Sequence, residues 1–424
     1  MRGPRLRRLG VVLTGALLAA CHARRPPPTV AAQLELAAAA LREGRFDEAA
    51  DRIHGVRQQA PRDPDAAAWS SVIAEMSWRD DDAVREMAAA VRWATAAGLP
   101  ADEVEALLGR LGDLLFQAGR WEEAAATLRP DGNERRQAFA GIARQLPPQR
   151  RPEGPLVTEQ PLLPGATPEF VCGAGGRLRP FAIDTGTSMT TLARTFAEEL
   201  VVEHLRSAGR VQDSSGRELA VDVAVLKHFH IGDVDMGATP VLVVDDAALG
   251  LRDLFGGPER VPRGVLGLDL LAAVRLTIDP ERRSVAVELP RGLPPERSVQ
   301  CVRVDGRCLA PVYIEGVRLW FVLDTGASHS SLSELGVLRL PGGEGRAVPS
   351  FRRVRTVGGG GVAVREVRSL VLRCNDARFE GVTLPVVARG RSEMFPVHGV
   401  LGTDLLARCR VTLDGGRARI VALP

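Results

Sequence analysis

Two stretches of the chain, FAIDTGTSMTTL (residues 181–192) and FVLDTGASHSSL (321–332), align in register from end to end. Each sets one aspartate, Asp184 or Asp324, after an apolar run and directly before a Thr-Gly pair. Two carboxylates brought together in a partly dry site cannot both ionise readily, so they share one proton over a wide pH range. One can then act as base on a water molecule while the other acts as acid, which is hydrolytic chemistry that calls for no metal and no cofactor.

A second pair of matches follows the first: GVLGLDLLAAVRLTID (264–279) and GVLGTDLLARCRVTLD (399–414). Asp184 and Asp324 lie 140 residues apart and Gly267 and Gly402 lie 135 apart, so this half of the chain is an internal duplication. Short runs of Val, Ile, Leu and Phe broken by Gly, Pro and Asp-Gly predict strands and tight turns. Approximate twofold symmetry between two such lobes would set one aspartate beside the other. Gly186 and Gly326 permit a tight turn at each loop, and Ser188 and Ser328 complete the loops. Asp269 and Asp404, next to the starts of short helices, read as structural hydrogen-bonding residues rather than catalytic ones. One asymmetry stands out: Thr187 offers a hydroxyl where Ala327 has none. A missing donor raises a carboxylate pKa, predicting a pH optimum in the mildly acid to neutral range.

These motifs resemble those of a single-chain retropepsin-like aspartic protease, of the clan of pepsin and the retroviral proteases, over residues 169–424. The resemblance implies a mainly beta, two-lobed acid protease fold with pseudo-twofold symmetry, and peptide or protein substrate bound in an interlobe cleft. It also implies that the Thr185 and Thr325 hydroxyls bond across to the opposite loop and that the segments around Gly267 and Gly402 pack behind the loops. A flap is implied in each lobe, at Ser215 and Gly216 within VQDSSGRELAV (211–221) and at Gly358, Gly359 and Gly360 within VRTVGGGGVAV (354–364). Neither stretch has the tyrosine of pepsin-like flaps; Tyr313, the sole tyrosine, precedes the second loop. With two loops in one chain, dimerisation is not required. The alternative is a catalytically inactive peptide-binding scaffold that keeps the fold.

The organisation is multidomain. Residues 31–146 are rich in Ala, Leu, Glu and Arg at helical spacing, and LREGRFDEAADRI (41–53) nearly repeats as LFQAGRWEEAAATL (115–128). This resembles the helical hairpins of tetratricopeptide repeats, with three degenerate hairpins expected and a protein partner as their implied use. Residues 147–168 are proline-rich and read as a linker. The two lobes follow as residues 169–295 and 296–424.

Residues 1–20 have the layout of a secretory signal peptide, basic and then apolar. Leu-Ala-Ala-Cys at 18–21 resembles a bacterial lipobox, so lipidation of Cys21, a tether over 21–30 and an outer-membrane location facing either way are expected. Five cysteines remain: Cys172, Cys301, Cys308, Cys374 and Cys409. Cys301 and Cys308 flank a hairpin at Asp305-Gly306, diagonally on one face, where a bridge could form. A formal net charge of +3 gives no reason to expect nucleic acid. His228 and His230 lack the spacing of a zinc site and read as a strand-surface pair.

Overall fold

The computed structural model describes residues 28–423 except 129–133, 147–151, 155–156, 166, 213–217, 250–261, 356–360 and 388–393. Cys21, the expected leader over residues 1–20 and the residues expected in the flaps, Ser215, Gly216, Gly358, Gly359 and Gly360, therefore lie outside the described residues. Two compact units divide the chain: Met1–Arg144 with Arg391–Pro396, and Gln145–Gly390 with Val397–Pro424.

The first unit is helical. Pro28–Arg42 pairs with Phe46–Gln59, Pro64–Met76 with Asp80–Ala96, and Ala101–Gln117 with Trp121–Thr127, and Glu134–Ala143 follows. Fully buried alanines, among them Ala37, Ala49, Ala67, Ala83 and Ala90, let these helices approach closely. Each pair turns at a residue in the left-handed region, Gly44 (φ 76°), Trp78 (φ 62°) and Gly119 (φ 69°), followed in every case by arginine. The same bonds end each first helix: Arg45 N–H to Ala40 C=O, Arg79 N–H to Ala74 C=O, and Arg120 N–H to Leu115 C=O. The middle hairpin escapes a sequence search because tryptophan stands where the others have glycine. Among the described residues no helix is long and apolar enough to cross a membrane.

The second unit is built from three sheets. Seven strands form the first lobe's sheet, in the spatial order Glu169–Ala174, Arg177–Ile183, Gly264–Leu266, Thr191–Ala193, Val234–Val244, Glu218–Ile231 and Glu203–Gln212. The second lobe repeats that order with Arg307–Ile314, Val317–Leu323, Gly399–Leu401, Ser331–Ser333, Ala377–Val387, Gly361–Cys374 and Val348–Arg355. It adds one edge strand, Val302–Val304, hairpinned onto Arg307–Ile314. A six-stranded sheet joins the lobes, and at its middle Thr277 faces Thr412 with their hydroxyl oxygens 3.1 Å apart. These two threonines are 135 residues apart, the same offset as Gly267 and Gly402, so they mark the pseudo-twofold axis. The two-lobed plan expected from the duplication is present.

The structure differs from the sequence reading at the proline-rich stretch. Thr158–Pro161 is a strand on the edge of the joining sheet, paired with Ser284–Val287, so part of the expected linker belongs to the beta unit. Its proline ends the strand at the sheet edge, where a missing N–H costs no ladder bond.

The core of each lobe sits directly behind its aspartate loop. Phe170, Phe181, Phe196 and Phe229 are buried in the first lobe, and Trp320, Phe321 and Phe379 in the second. Phe181 and Phe321 press on Gly264 and Gly399, where a Cβ would come within 2.6 and 2.4 Å of the ring.

His398 locks the segment leading to Gly399. It is 3% exposed, its Nδ1 accepts the Trp320 N–H (3.0 Å), and its own N–H donates to the Trp320 carbonyl (2.8 Å). Burial, with Arg339 adding, pulls its pKa down to about 4. The ring is thus neutral in the folded protein and charged in the unfolded chain below its ordinary 6.5. Stability from this site is complete above pH 6.5 and is lost as pH falls to about 4, by about 3 kcal/mol. In urea unfolding at pH 7 and pH 4.5, His398→Gln, whose amide does not titrate, is expected to gain on the wild type by about 2–3 kcal/mol at the lower pH, contributions from other groups being common to both proteins.

Candidate active site

The strand Arg177–Ile183 runs parallel to Gly264–Leu266, and Val317–Leu323 runs parallel to Gly399–Leu401. At the end of each pair the aspartate N–H continues the ladder, Asp184 to Leu266 C=O and Asp324 to Leu401 C=O, both at 3.1 Å. Each aspartate is therefore fixed by its own lobe before it meets the other.

The threonines then fix one loop on the other. Thr185 Oγ1 donates to the Leu323 carbonyl (2.7 Å) and accepts the Thr325 N–H (3.2 Å). Thr325 Oγ1 donates to the Ile183 carbonyl (2.6 Å) and accepts the Thr185 N–H (3.2 Å). Both residues are buried, so water does not compete for these four bonds.

Gly186 and Gly326 hold the centre open. A Cβ on Gly186 would lie 2.5 Å from Cγ of Asp324, and one on Gly326 would lie 2.5 Å from Cγ of Asp184. Each carboxyl group thus sits against the glycine of the opposite loop, and the two carboxyls hydrogen-bond each other. The pairing predicted for Asp184 and Asp324 is the geometry observed.

Their donors differ. Asp184 accepts the Gly186 N–H at Oδ1 (2.8 Å) and the Thr187 hydroxyl at Oδ2 (3.0 Å). Asp324 accepts two backbone N–H groups at one oxygen, from Gly326 (3.1 Å) and Ala327 (2.8 Å). The absent hydroxyl at Ala327 is thereby replaced by a backbone donor, which the sequence alone does not reveal. The raised group is Asp184, at about 7, through burial first and the Asp324 charge second, against the pull of Gly186 and Thr187. The two carboxyls titrate as a pair that holds one proton up to about pH 7.

Behind the loops, Asp269 Oδ1 accepts both the N–H and the hydroxyl of Thr190 (2.9 Å each), and Thr190 Oγ1 accepts the Gly267 N–H (3.1 Å). Asp404 Oδ1 accepts the N–H (2.8 Å) and hydroxyl (2.6 Å) of Ser330, whose Oγ accepts the Gly402 N–H (2.9 Å). Gly267 and Gly402 have no room for a side chain, since a Cβ would fall 2.4 and 2.7 Å from the loop backbone at Met189 and His329. Sequence reasoning missed Thr190 and Ser330. Their signal is positional: each is a hydroxyl residue six places after its aspartate.

The remaining loop residues are more open. Ser188 and Ser328 are exposed; Ser188 gives its carbonyl to the Asp269 N–H (3.2 Å) and lies under the turn at Gly306. The Ala327 carbonyl takes the N–H and the hydroxyl of Thr403 (2.8 and 3.0 Å). Beyond these loops, the strands flanking each expected flap form a long hairpin, closing at Gln212 opposite Glu218 and at Arg355 opposite Gly361.

With this geometry in view, the comparisons are specific. The sequence model of the aspartyl protease family matches residues 172–270 and again residues 310–405. Each lobe carries its own match to that family. Solved structures similar to the chain include a retropepsin-like aspartic protease from Rickettsia conorii, 19% identical, with 33% of this chain and 96% of that one covered and a TM-score of 0.23. No curated protein matches. The aspartyl protease match spans both aspartate loops and both glycine segments behind them, and the beta unit has two lobes of the same strand order.

Proposed function

We propose that the chain is an aspartic endopeptidase in which Asp184 and Asp324 hydrolyse peptide bonds through an activated water. The reciprocal Thr185 and Thr325 bonds, which hold one carboxyl from each lobe against the other, are the observation that carries this reading. Ionised Asp324 takes a proton from the water as that water attacks the peptide carbonyl. Protonated Asp184 gives its proton to the developing oxyanion, and proton return through the pair then assists departure of the amine. Substrate lies extended between the lobes, covered by the hairpins that end at Gln212 and Arg355.

The pH dependence follows from the proton on Asp184. Activity needs that proton, so kcat/KM is expected to fall about tenfold per pH unit above about 7. On the acid side the His398 site weakens as pH drops toward 4. The working range is therefore mildly acid to neutral, and a kcat/KM profile on cleaved peptides checks it. An optimum below about pH 3 would contradict the assignment, as would indifference to a statine-type inhibitor that mimics the tetrahedral intermediate.

The finer placement is also a proposal. Lipid on Cys21 would anchor the enzyme in a bacterial envelope, in the outer membrane, and the helical hairpins, tetratricopeptide-like in plan, would recruit a protein substrate or partner. Labelling with a radioactive fatty acid, abolished in Cys21→Ala, tests the anchor. A folded wild type that binds peptides and never cuts them would support the scaffold alternative.

A further inference from the structure

Four of the five described cysteines lie in the second half of the beta unit, and all five are buried thiols. Cys301 stands where the chain passes from one sheet to another. Before it, Val299–Gln300 pairs with Arg417 and Ala418 in the joining sheet; after it, Val302 pairs with Leu309 in the lobe. Its N–H donates to Gly416 C=O (2.9 Å). Cys308 lies opposite Arg303, so Cys301 and Cys308 are on one face of the hairpin at a diagonal. Both thiols are buried, and the Cys308 thiol is the largest influence raising the pKa of Cys301.

The turn between them bears on the aspartate site. Asp305 (φ 50°) and Gly306 (φ 68°) form the left-handed pair of a tight hairpin. A Cβ on Gly306 would fall 2.5 Å from Cβ of Ser188, so the tip rests on the loop that carries Asp184. Among the described residues, the first lobe has at the matching edge only a single bridge, Leu163 to Glu169, in place of this strand.

We propose that Cys301 and Cys308 are a redox modification site, closed by a disulfide donor into a bond that straps this hairpin and the loop beneath its tip. In the exchange, the Cys308 thiolate attacks one sulfur of the donor disulfide, the donor S–S bond breaks, and one donor thiolate leaves and takes a proton. The Cys301 thiolate then attacks the Cys308 sulfur of the mixed disulfide and displaces the second donor thiol. Two protein thiols are oxidised and one donor disulfide is reduced to two thiols. Val302–Val304 is the edge strand of its sheet, so local opening of one strand exposes both sulfurs. In the closed protein, the neighbouring Cys308 sulfur and then burial hold the Cys301 thiol protonated, which makes exchange slow and the finished bond durable.

The experiment uses the full-length chain in detergent, equilibrated in oxidised or reduced glutathione, blocked with an alkylating agent and digested with trypsin. Arg303 and Arg307 separate the two cysteines into SVQCVR and CLAPVYIEGVR, so a bond between them appears as one cross-linked species. Oxidation is expected to produce that species and raise the Tm by about 5 °C. It is also expected to slow amide exchange at 302–309 and at 184–190. Cys374→Ser should keep all three effects, and the Cys301→Ala/Cys308→Ala double variant should lose them. The proposal is overturned if the two peptides stay separate at every glutathione ratio, if the cross-link joins Cys374 or Cys409 instead, or if oxidation leaves exchange at 184–190 unchanged. None of these readouts depends on peptidase activity.

Discussion

Asp184→Asn is expected to make the protein nearly inactive at every pH and, at pH 8, more stable than the wild type. The Asp184 carboxyl is raised from 3.8 to about 7 by burial and by Asp324. A carboxyl raised on folding adds stability that is complete below its unfolded value and lost as pH rises through the folded one. Across that span the loss reaches up to about 4 kcal/mol. Asparagine does not titrate and keeps an oxygen for the Gly186 N–H, so the variant should gain on the wild type by about 3 kcal/mol between pH 4.5 and 8, the His398 contribution being common to both. Its kcat/KM should fall at least about 10³-fold, since the proton donor is gone. Urea midpoints at the two pH values, with turnover in parallel, check both halves. Equal pH dependence in variant and wild type would remove Asp184 as the proton holder. The stability gain would mark the carboxyl pair as a cost that the fold bears for its chemistry.

The second large effect lies in the threonine lock. Thr325→Val removes the donor to the Ile183 carbonyl and the acceptor of the Thr185 N–H. Both stranded groups are buried and each costs about 1–3 kcal/mol, so a loss of about 2–5 kcal/mol is expected. Activity should fall about 10²-fold even well below the melting range, because the two carboxyls lose their common reference. Thr325→Ser retains the hydroxyl and should behave nearly as the wild type. The two hydroxyls bond different backbone groups but hold the same pair of loops, so the Thr185→Val/Thr325→Val variant should cost less than the sum of the single variants. Denaturant unfolding of the four proteins measures the coupling, and a Val variant indistinguishable from the Ser variant would show that the hydroxyls do not hold the loops.

The duplication was the most legible feature, because equivalent residues in the two lobes meet the same packing demand. Phe181 and Phe321 press on Gly264 and Gly399, and the short helices after Gly267 and Gly402 start where the Asp-Leu-Leu pattern puts them. Two elements were hidden for different reasons. Trp78 turns the middle helical hairpin at a positive φ that sequence habit assigns to glycine, so the spacing of Gly44 and Gly119 left room for this unit but no motif located its turn. Thr158–Pro161 looks like linker because proline signals a break, yet a sheet edge tolerates it. At the site itself, side-chain identity suggested a donor missing beside Asp324. The Ala327 backbone N–H fills that place, and backbone donors leave no mark in a sequence. The coupling of Gly306 to Ser188 is likewise a tertiary contact between distant segments, with no local pattern to announce it.

The central claim is that one carboxyl from each lobe acts on the same peptide bond, and cleavage of a mixed peptide library from about pH 3 to 8 tests it most directly. Wild type, Asp184→Asn and Asp324→Asn, each shown to be folded, would be incubated in parallel and their products read by mass spectrometry. Internal cleavages by the wild type that decline above about pH 7 and vanish in both variants are the predicted result. Cleavage that survives in either variant, or a folded wild type that cuts nothing at any pH, would contradict it.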